Sequence, residues 1–206
     1  MLDKLVQDAL TCDRDFEAHL APKICIVGCG GGGSNSIHRI GRLGLQGVDT
    51  IALNTDKFHL SKITAGKHML IGEHATYGYG TGGNPELGEK LAYEAMDDIE
   101  KVISNYDIVF ITAGMGGGTG TGSAPVVAEA ARKHGAVVVA LVTIPFDIEK
   151  SRLNTAFAGI SKLRERAHST IILDNNRLLE IVPKLPVEQA FMEMDQLLGE
   201  VLKGVT

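Results

Sequence analysis

Short apolar runs alternate with amphipathic stretches along most of the chain. The runs are short, and the first is wholly apolar and is followed by glycine, which is typical of strands buried on both faces. The predicted strands are residues 24–27, 50–54, 69–71, 107–112, 136–144 and 170–173. Helical periodicity predicts helices at residues 86–103, 123–134 and 153–166. This alternation predicts an α/β fold in three layers, with a mainly parallel sheet between helices on both faces.

The two ends of the chain have their own helical patterns. Residues 2–19 repeat apolar side chains at helical spacing before Pro22, which predicts an N-terminal helical extension over residues 1–21 that packs on the flank of the domain. Residues 22–185 carry the α/β pattern. Residues 186–206 begin with proline and present a wide apolar face, which predicts a helix that is packed from further sides.

Composition narrows the class of protein. The chain has 206 residues with 44% hydrophobic and 22% charged residues, which excludes a disordered or fibrous protein and suits one domain with a short appendage. The net charge of −5 and the lack of a Lys/Arg cluster argue against duplex nucleic acid and anionic membranes as partners. No signal peptide or long apolar run is found, so we expect a soluble, cytoplasmic protein without membrane insertion.

Cysteine and histidine give no metal pattern. Cys12, Cys25 and Cys29 are too few and too badly spaced for a zinc pair or a disulfide framework. We interpret Cys25 and Cys29 as small packed residues at the end of a strand. The seven histidines are scattered without ligand spacing, so no transition-metal site is predicted.

Most of the 25 glycines fall in three clusters. The first follows the first strand, and Gly28, Gly30 and Gly33 satisfy G-x-G-x-x-G before a helix, a setting in which backbone N–H groups bind phosphate. A Walker loop is absent, so amides must hold the phosphate without a loop lysine. A dinucleotide enzyme needs an acid after the second strand. Asn54-Thr55-Asp56 stands there, which leaves an NAD(P)-dependent oxidoreductase as an alternative.

The second cluster, residues 113–123, also joins a predicted strand to a helix. Ligands of parallel sheets bind at the carboxyl ends of the strands, so these two loops can form two walls of one phosphate site. Thr119 and Thr121 add hydroxyls that could bond phosphate oxygens. The third cluster, residues 78–85, is placed to close over a terminal phosphate. An oxidoreductase has no use for the second loop.

The second cluster carries a resemblance to a known family. Residues 116–122 read GGGTGTG, which matches the loop of the tubulin and FtsZ superfamily. The flanking residues 110–114 and 123–129 resemble FtsZ and not eukaryotic tubulin. Asn54-Thr55-Asp56, the GGNP of residues 82–85 and the PF of residues 145–146 follow the family's order. From about Lys23 onward, the chain is similar to an FtsZ-type GTPase domain, which implies a Rossmann-like GTP-binding domain at residues 22–185.

The resemblance also implies individual roles. The first loop would line the phosphates, residues 118–120 would wrap the α- and β-phosphates, and Gly82 and Gly83 would sit near the γ-phosphate. Glu149 would bind the ribose, Arg152 would reach the nucleotide and Asn175 would lie beside the guanine. The full set implied to bind GTP is Gly31, Gly32, Gly33, Ser34, Asn35, Asn54, Gly82, Gly83, Gly118, Thr119, Gly120, Glu149, Arg152, Asn175, Phe191 and Asp195.

Three positions depart from the family's pattern. Ser34 stands where asparagine or glycine is common. Glu149-Lys150-Ser151-Arg152 is one residue shorter than the usual Glu-Gly-x-x-Arg. Asp174 replaces the proline that usually precedes Asn175.

Phe191 and Asp195 are four residues apart and share one face of the last predicted helix. The resemblance implies that Phe191 stacks on the base and that Asp195 accepts hydrogen bonds from N1–H and the 2-amino group of guanine. Adenine offers neither donor there, so such a site discriminates strongly between guanine and adenine nucleotides. Without the resemblance, the pair would be interpreted as a core phenylalanine and a solvated acid.

The resemblance places hydrolysis at a contact between subunits. In FtsZ, an acidic loop after the central helix activates water on the neighbouring subunit's nucleotide. The sequence ends at Thr206 inside what resembles that helix, so we expect no catalytic residue, GTP binding with little hydrolysis, and a truncated central helix at residues 186–206. Mg²⁺ is expected on the phosphates, with Asp56 as an outer-sphere ligand or merely a turn former.

The implied partners belong to the full-length protein. They are further copies in head-to-tail filaments and the proteins of the division machinery, in a ring at mid-cell. A tubulin-like scaffold that binds no nucleotide stays an alternative, although the Glu149, Asn175 and Asp195 set argues against it.

Overall fold

A computed structural model describes residues 22–42 and 47–177. The predicted helix at residues 2–19 and the segment 186–206 lie outside these residues. Within the described part, six strands form one sheet. They are β1 (Ile24–Cys29), β2 (Val48–Asn54), β3 (Lys67–Leu70), β4 (Ile108–Gly114), β5 (Val137–Ile144) and β6 (Ser169–Asp174).

The sheet has the order β3-β2-β1-β4-β5-β6, and all five strand pairs are parallel. In the centre, Ile24 of β1 lies opposite Val48 of β2 on one side and Ile108 of β4 on the other. This confirms the predicted α/β fold with a parallel sheet. Each of the six predicted strands lies on one of these, with shifts at the ends.

Helices cover both faces of the sheet. They are α1 (Gly30–Arg42), α2 (Lys57–Leu60), α3 (Glu73–Thr76), α4 (Pro85–Glu94), α5 (Met96–Ile103), α6 (Thr119–Lys133) and α7 (Lys150–Arg166). Alternate residues of β1 belong to two different hydrophobic cores, one on each face of the sheet. Ile24 and Ile26 pack with Ile37 of α1, whereas Cys25 and Val27 belong to the core that contains α6. None of the described helices is long and apolar enough to cross a membrane.

One predicted helix is wrong. The pattern of residues 86–103 predicts a single helix, but Ala95 leaves the helical region with φ −94° and ψ 11°, and α4 and α5 are separate helices. Leu91 before the break and Ile99 after it are both buried, so the apolar periodicity continues across it. Asp97 and Asp98 then occupy the first turn of α5, where negative charge is favourable.

The glycine clusters extend the helices further than predicted. Helix α6 begins at Thr119 and not at residue 123, and α1 already begins at Gly30. Glycine is a poor helix former, so local propensity alone argues against these starts. Close packing nevertheless requires glycine at position 120, because a β-carbon there would lie 2.9 Å from the Cys29 carbonyl oxygen.

Candidate functional site

The strand order reverses between β1 and β4. Strand β1 leads into α1 on one face of the sheet, and β4 leads into α6 on the opposite face. In doubly wound sheets, a crevice for ligands opens at this point beside the carboxyl ends of the strands. The first two glycine clusters follow these two strands, so the topology brings them together.

The two loops touch backbone to backbone. A β-carbon at Gly30, whose φ is +68°, would lie 2.5 Å from the Gly120 nitrogen. One at Gly32 would lie 3.0 Å from the Gly114 nitrogen. Side chains at these places would separate the loops, so glycine is needed for the approach.

A cavity of about 550 Å³ opens above these loops. It brings together most of the residues to which the sequence assigned a role. Those that line it are Gly31, Gly32, Asn35, Asn54, Asp56, Gly82, Gly83, Gly118, Thr119, Gly120, Glu149, Arg152 and Asn175. Gly33 and Ser34 do not line it, and Phe191 and Asp195 lie outside the described residues.

Gly33 and Ser34 are both buried in α1. A β-carbon at Gly33 would overlap the carbonyl oxygen of Thr112, so this glycine lets α1 lie against β4. Ser34 is fully buried, and its Oγ has no partner among the described atoms. Gly33 is the last glycine of the G-x-G-x-x-G motif and Ser34 follows it, so the motif did not separate residues of the cavity wall from residues packed behind it.

Buried threonine hydroxyls join the loops. Thr119 Oγ1 lies 2.6 Å from Thr55 Oγ1 after β2 and 3.4 Å from Thr81 Oγ1 in the third cluster. Thr121 has another role than the predicted one, since its Oγ1 accepts from the Gly116 N–H at 2.9 Å and it does not line the cavity. Thr119 therefore ties three loops together, and Thr121 shapes its own loop.

The third cluster lies against the second. Gly82 and Gly83 have φ of +60° and +83°, values that favour glycine. Asn84 then caps the N-terminus of α4, with its Oδ1 accepting from the Leu87 N–H at 2.9 Å. A β-carbon at Gly118 would overlap Thr81 Oγ1, which fixes how closely the two clusters meet.

Glu149 and Arg152 form an ion pair at the start of α7. Glu149 Oε1 also accepts from the Phe146 N–H at 3.3 Å, and Arg152 Nε donates to the Gly116 carbonyl oxygen at 3.3 Å. Residues three apart on a helix are neighbours, so the short Glu-Lys-Ser-Arg spacing brings both side chains to one place. Arg152 thereby contacts the second glycine loop.

Asn176, which the sequence reasoning missed, follows Asn175 of the cavity lining and links two segments of the chain. Its Nδ2 donates to Asp174 Oδ1 at 2.9 Å and to Asp147 Oδ1 at 3.2 Å, and its Oδ1 accepts from the Asp147 N–H at 3.1 Å. It joins the end of β6 to the loop before α7. The neighbouring Asn175 is 7% exposed, and its Oδ1 has no partner among the described atoms.

Comparison with known proteins decides the family. The family profile described as "Tubulin/FtsZ family, GTPase domain" matches residues 23–183. The chain belongs to the tubulin/FtsZ family. The Cell division protein FtsZ 2 of Halobacterium salinarum is 50% identical over 185 residues, which are 90% of this chain and 47% of that protein. FtsZ 2 of Methanocaldococcus jannaschii is 49% identical over 208 residues, 98% of this chain and 54% of that protein.

Solved structures agree on the tubulin/FtsZ fold. An empty FtsZ dimer of M. jannaschii superposes with a TM-score of 0.84 at 44% identity, covering 94% of this chain and 57% of that chain. CetZ2 from Haloferax volcanii, solved as a GTPγS-bound protofilament, has a TM-score of 0.77 at 24% identity, covering 87% of this chain and 58% of that chain. The chain spans about half the length of the curated relatives it matches.

Asp56 lies at the N-terminus of α2. Its Oδ1 accepts from the His59 N–H at 2.8 Å and caps α2, as expected of a turn former. Asp56 also lines the cavity. The described residues contain no group of three or more His, Cys, Asp or Glu side chains suited to a metal ion.

The sequence reasoning also missed Arg39 and His59, which line the cavity. Arg39 lies on α1, where its Nη2 donates to Ser36 Oγ at 3.4 Å. His59 lies on α2 and contacts the side chains of Asn35 and Asn54. The four-residue helix α2 has no apolar period that could reveal it, so only its nearness to Asn54-Thr55-Asp56 hinted at His59.

Proposed function

We propose that this chain binds GTP and GDP as the nucleotide-binding domain of an FtsZ-type cell-division protein. The observation that carries the proposal is the backbone contact between the loops after β1 and β4 around one cavity. Loop N–H groups and a helix N-terminus bind phosphate without a lysine. The identity of about 50% to FtsZ proteins supports the same function.

The phosphates are proposed to bind between the three glycine clusters. Residues 31, 32 and 35 belong to one wall and residues 118–120 to the other, with Gly82 and Gly83 over the γ-phosphate. Mg²⁺ bridges phosphate oxygens and water, and Asp56 is the carboxylate available as an outer-sphere ligand. Arg152 supplies positive charge at the second loop.

The base and ribose are proposed to lie at the other end. The unpartnered Oδ1 of the buried Asn175 supports this placement, because a nucleobase N–H would satisfy it. Glu149 would accept from the ribose hydroxyls once its pairing with Arg152 is exchanged. Phe191 and Asp195 are proposed to stack on the base and to select guanine.

Assembly and hydrolysis are proposed for the whole protein. We expect head-to-tail filaments in the cytoplasm, in which an acidic loop outside the 206 residues reaches the nucleotide of its neighbour. CetZ2, which shares the fold, was solved as a GTPγS-bound protofilament, and this supports the proposed assembly. Proteins of the division machinery are the expected partners in a ring at mid-cell.

The first test is nucleotide content and selectivity. The purified chain is denatured, the released nucleotide is identified by chromatography, and the nucleotide-free chain is titrated with GTP, GDP and ATP. We expect bound GDP or GTP and no response to ATP. Asp195→Asn should lower GTP affinity at least about tenfold. The carboxylate accepts hydrogen bonds from two N–H groups of guanine, and an amide has only one oxygen to accept them. The exposed Asp98→Asn on α5 is the matched control.

Other results would contradict the proposal in different ways. A chain that binds no nucleotide would support the scaffold alternative. Binding of NAD(P)H instead of GTP would support the oxidoreductase, against which the amide of Asn54 at the end of β2 already argues. Equal affinity for GTP and ATP would contradict the guanine role of Asp195.

A further inference from the structure

We propose that His59 is a positioning residue, which orients the side-chain amide of Asn35 so that its NH₂ group faces the phosphates. This inference rests on the proposed GTP binding. It comes from a chain of hydrogen bonds that runs from the end of β2 through α2 to α1. Each donor in that chain can be assigned from the group before it.

The first link is Asn54, which is 3% exposed. Its Oδ1 accepts from the backbone N–H of Thr55 at 2.9 Å and lies 3.3 Å from the N–H of Asp56. A backbone N–H cannot change its role, so this oxygen is fixed toward the loop. The Nδ2 group of Asn54 is therefore turned toward His59.

The second link is the imidazole ring of His59. Asn54 Nδ2 lies 3.2 Å from His59 Nδ1, and an amide NH₂ can only donate. Nδ1 must then accept, and the proton of the neutral ring sits on Nε2. The surroundings thus select one of the two tautomers.

The third link is Asn35 at the cavity. His59 Nε2 lies 3.0 Å from Asn35 Oδ1, and with its proton on Nε2 the ring donates to that oxygen. The oxygen of Asn35 is thereby held toward α2, which leaves its NH₂ group with two donors for a ligand. The opposite amide orientation would present an acceptor to phosphate oxygens, which is unfavourable.

The backbone that carries the ring is also held in place. The His59 N–H donates to Asp56 Oδ1, and the next residue, Leu60, is buried in the core beneath α1. The ring itself is half-buried between two asparagines that both line the cavity. A preorganised donor needs no rearrangement when the anion arrives, which favours binding.

Two variants separate orientation from shape. His59→Phe keeps a ring but removes both hydrogen bonds, and we expect a fall in GTP affinity of about five- to tenfold. His59→Gln keeps one donor and one acceptor and should restore most of that affinity. His134→Phe, at the opposite end of α6 from the cavity, is the control and should bind GTP like the wild type. Circular dichroism checks that every variant is folded.

A double-mutant cycle tests whether His59 acts through Asn35. In an Asn35→Ala background, His59→Phe should no longer change GTP affinity, because the group it orients is gone. Nitrogen-15 NMR of the nucleotide-free chain provides a second readout. It should show His59 as the neutral tautomer with its proton on Nε2.

Several results would overturn the proposal. They are a His59→Phe chain that is folded and binds GTP like the wild type, additive losses in the cycle, or a proton on Nδ1 of the ring. If the wild type binds no GTP, the proposed function fails, and the positioning role fails with it. If the wild type binds GTP but the cycle is additive, only the role of His59 fails.

Discussion

At the scale of single residues, Gly122 shows how little room the helices leave. It lies on α6, and a β-carbon there would overlap the Pro85 carbonyl oxygen and the Glu89 nitrogen of α4. Backbone atoms cannot rotate away as a side chain can. Gly122→Ala should therefore lower the free energy of unfolding by about 1–3 kcal/mol, measured by urea denaturation.

Gly31 is the matched control. A β-carbon at Gly31 would meet no atom within 4 Å, and its φ is not positive. Gly31→Ala should leave stability unchanged or raise it slightly, since alanine favours a helix more than glycine does. Equal losses for both variants would mean that close packing of α4 on α6 is not what requires Gly122.

Cys25 and Cys29 illustrate a residue-scale prediction that the structure confirms. Both are fully buried free thiols, and burial raises the pKa of each to about 12. The thiolate is the reactive form, so neither should react with iodoacetamide near neutral pH in the folded chain. A Cys12→Ser variant lets mass spectrometry follow these two alone, and both should react in urea. Rapid labelling without urea would disprove the buried packing.

At the scale of elements, the strands were predictable because runs of apolar residues indicate strands that are buried on both faces. Residues 24–27 and 108–111 are apolar runs, and both faces of their strands are covered by helices. The break at Ala95 was not predictable, since Leu91 and Ile99 continue the same apolar stripe. The early start of α6 was hidden because its glycines are set by contact with distant backbone and not by helix propensity.

A cluster of charges links α5 to the end of α6. Glu100 pairs with Lys133 at 2.6 Å and with His134 at 3.0 Å, and its side chain is 16% exposed. The hydrogen bond from Lys133, and then that from His134, holds the pKa of Glu100 below its usual value. A lowered pKa in the folded state stabilises the fold above the pKa of the unfolded chain.

Glu100→Gln should therefore destabilise the protein at neutral pH. The difference from the wild type should shrink as the pH falls through the pKa of Glu100 in the folded chain, because the protonated carboxyl no longer favours folding. Urea denaturation at several pH values measures this. Asp98→Asn, which removes an exposed pair with Lys101 on the same helix, should have little effect. A loss that is constant with pH would show that the charge of Glu100 is not responsible.

At the scale of the molecule, the position of the cavity follows from topology. Two strands that are neighbours in the sheet but distant in sequence place their glycine loops side by side. The sequence predicted both loops and that they would meet. It did not predict His59 and Arg39, which line the cavity, or the hydrogen bonds of Asn176 beside Asn175, because such side-chain contacts have no periodic signal.

Since every wall of the cavity comes from a different segment, a ligand there should stabilise the whole fold. A ligand that binds only the folded state at about 100 times its Kd adds about 2.7 kcal/mol of stability. For a chain of this size, that corresponds to a rise in Tm of roughly 5–10 °C. GTP with Mg²⁺ should produce such a rise, and ATP at the same concentration should not.

Removing Mg²⁺ with EDTA should reduce the rise that GTP causes, because an unneutralised triphosphate repels its own charges and Asp56 at the same wall. The rise caused by GDP should fall less, since the proposed place of the γ-phosphate at Gly82 and Gly83 stays empty. Differential scanning calorimetry with GTP, GDP and ATP, each with and without EDTA, compares the six conditions. An equal rise with ATP would contradict guanine recognition. A GTP effect that EDTA leaves unchanged would contradict the magnesium role while leaving nucleotide binding in place.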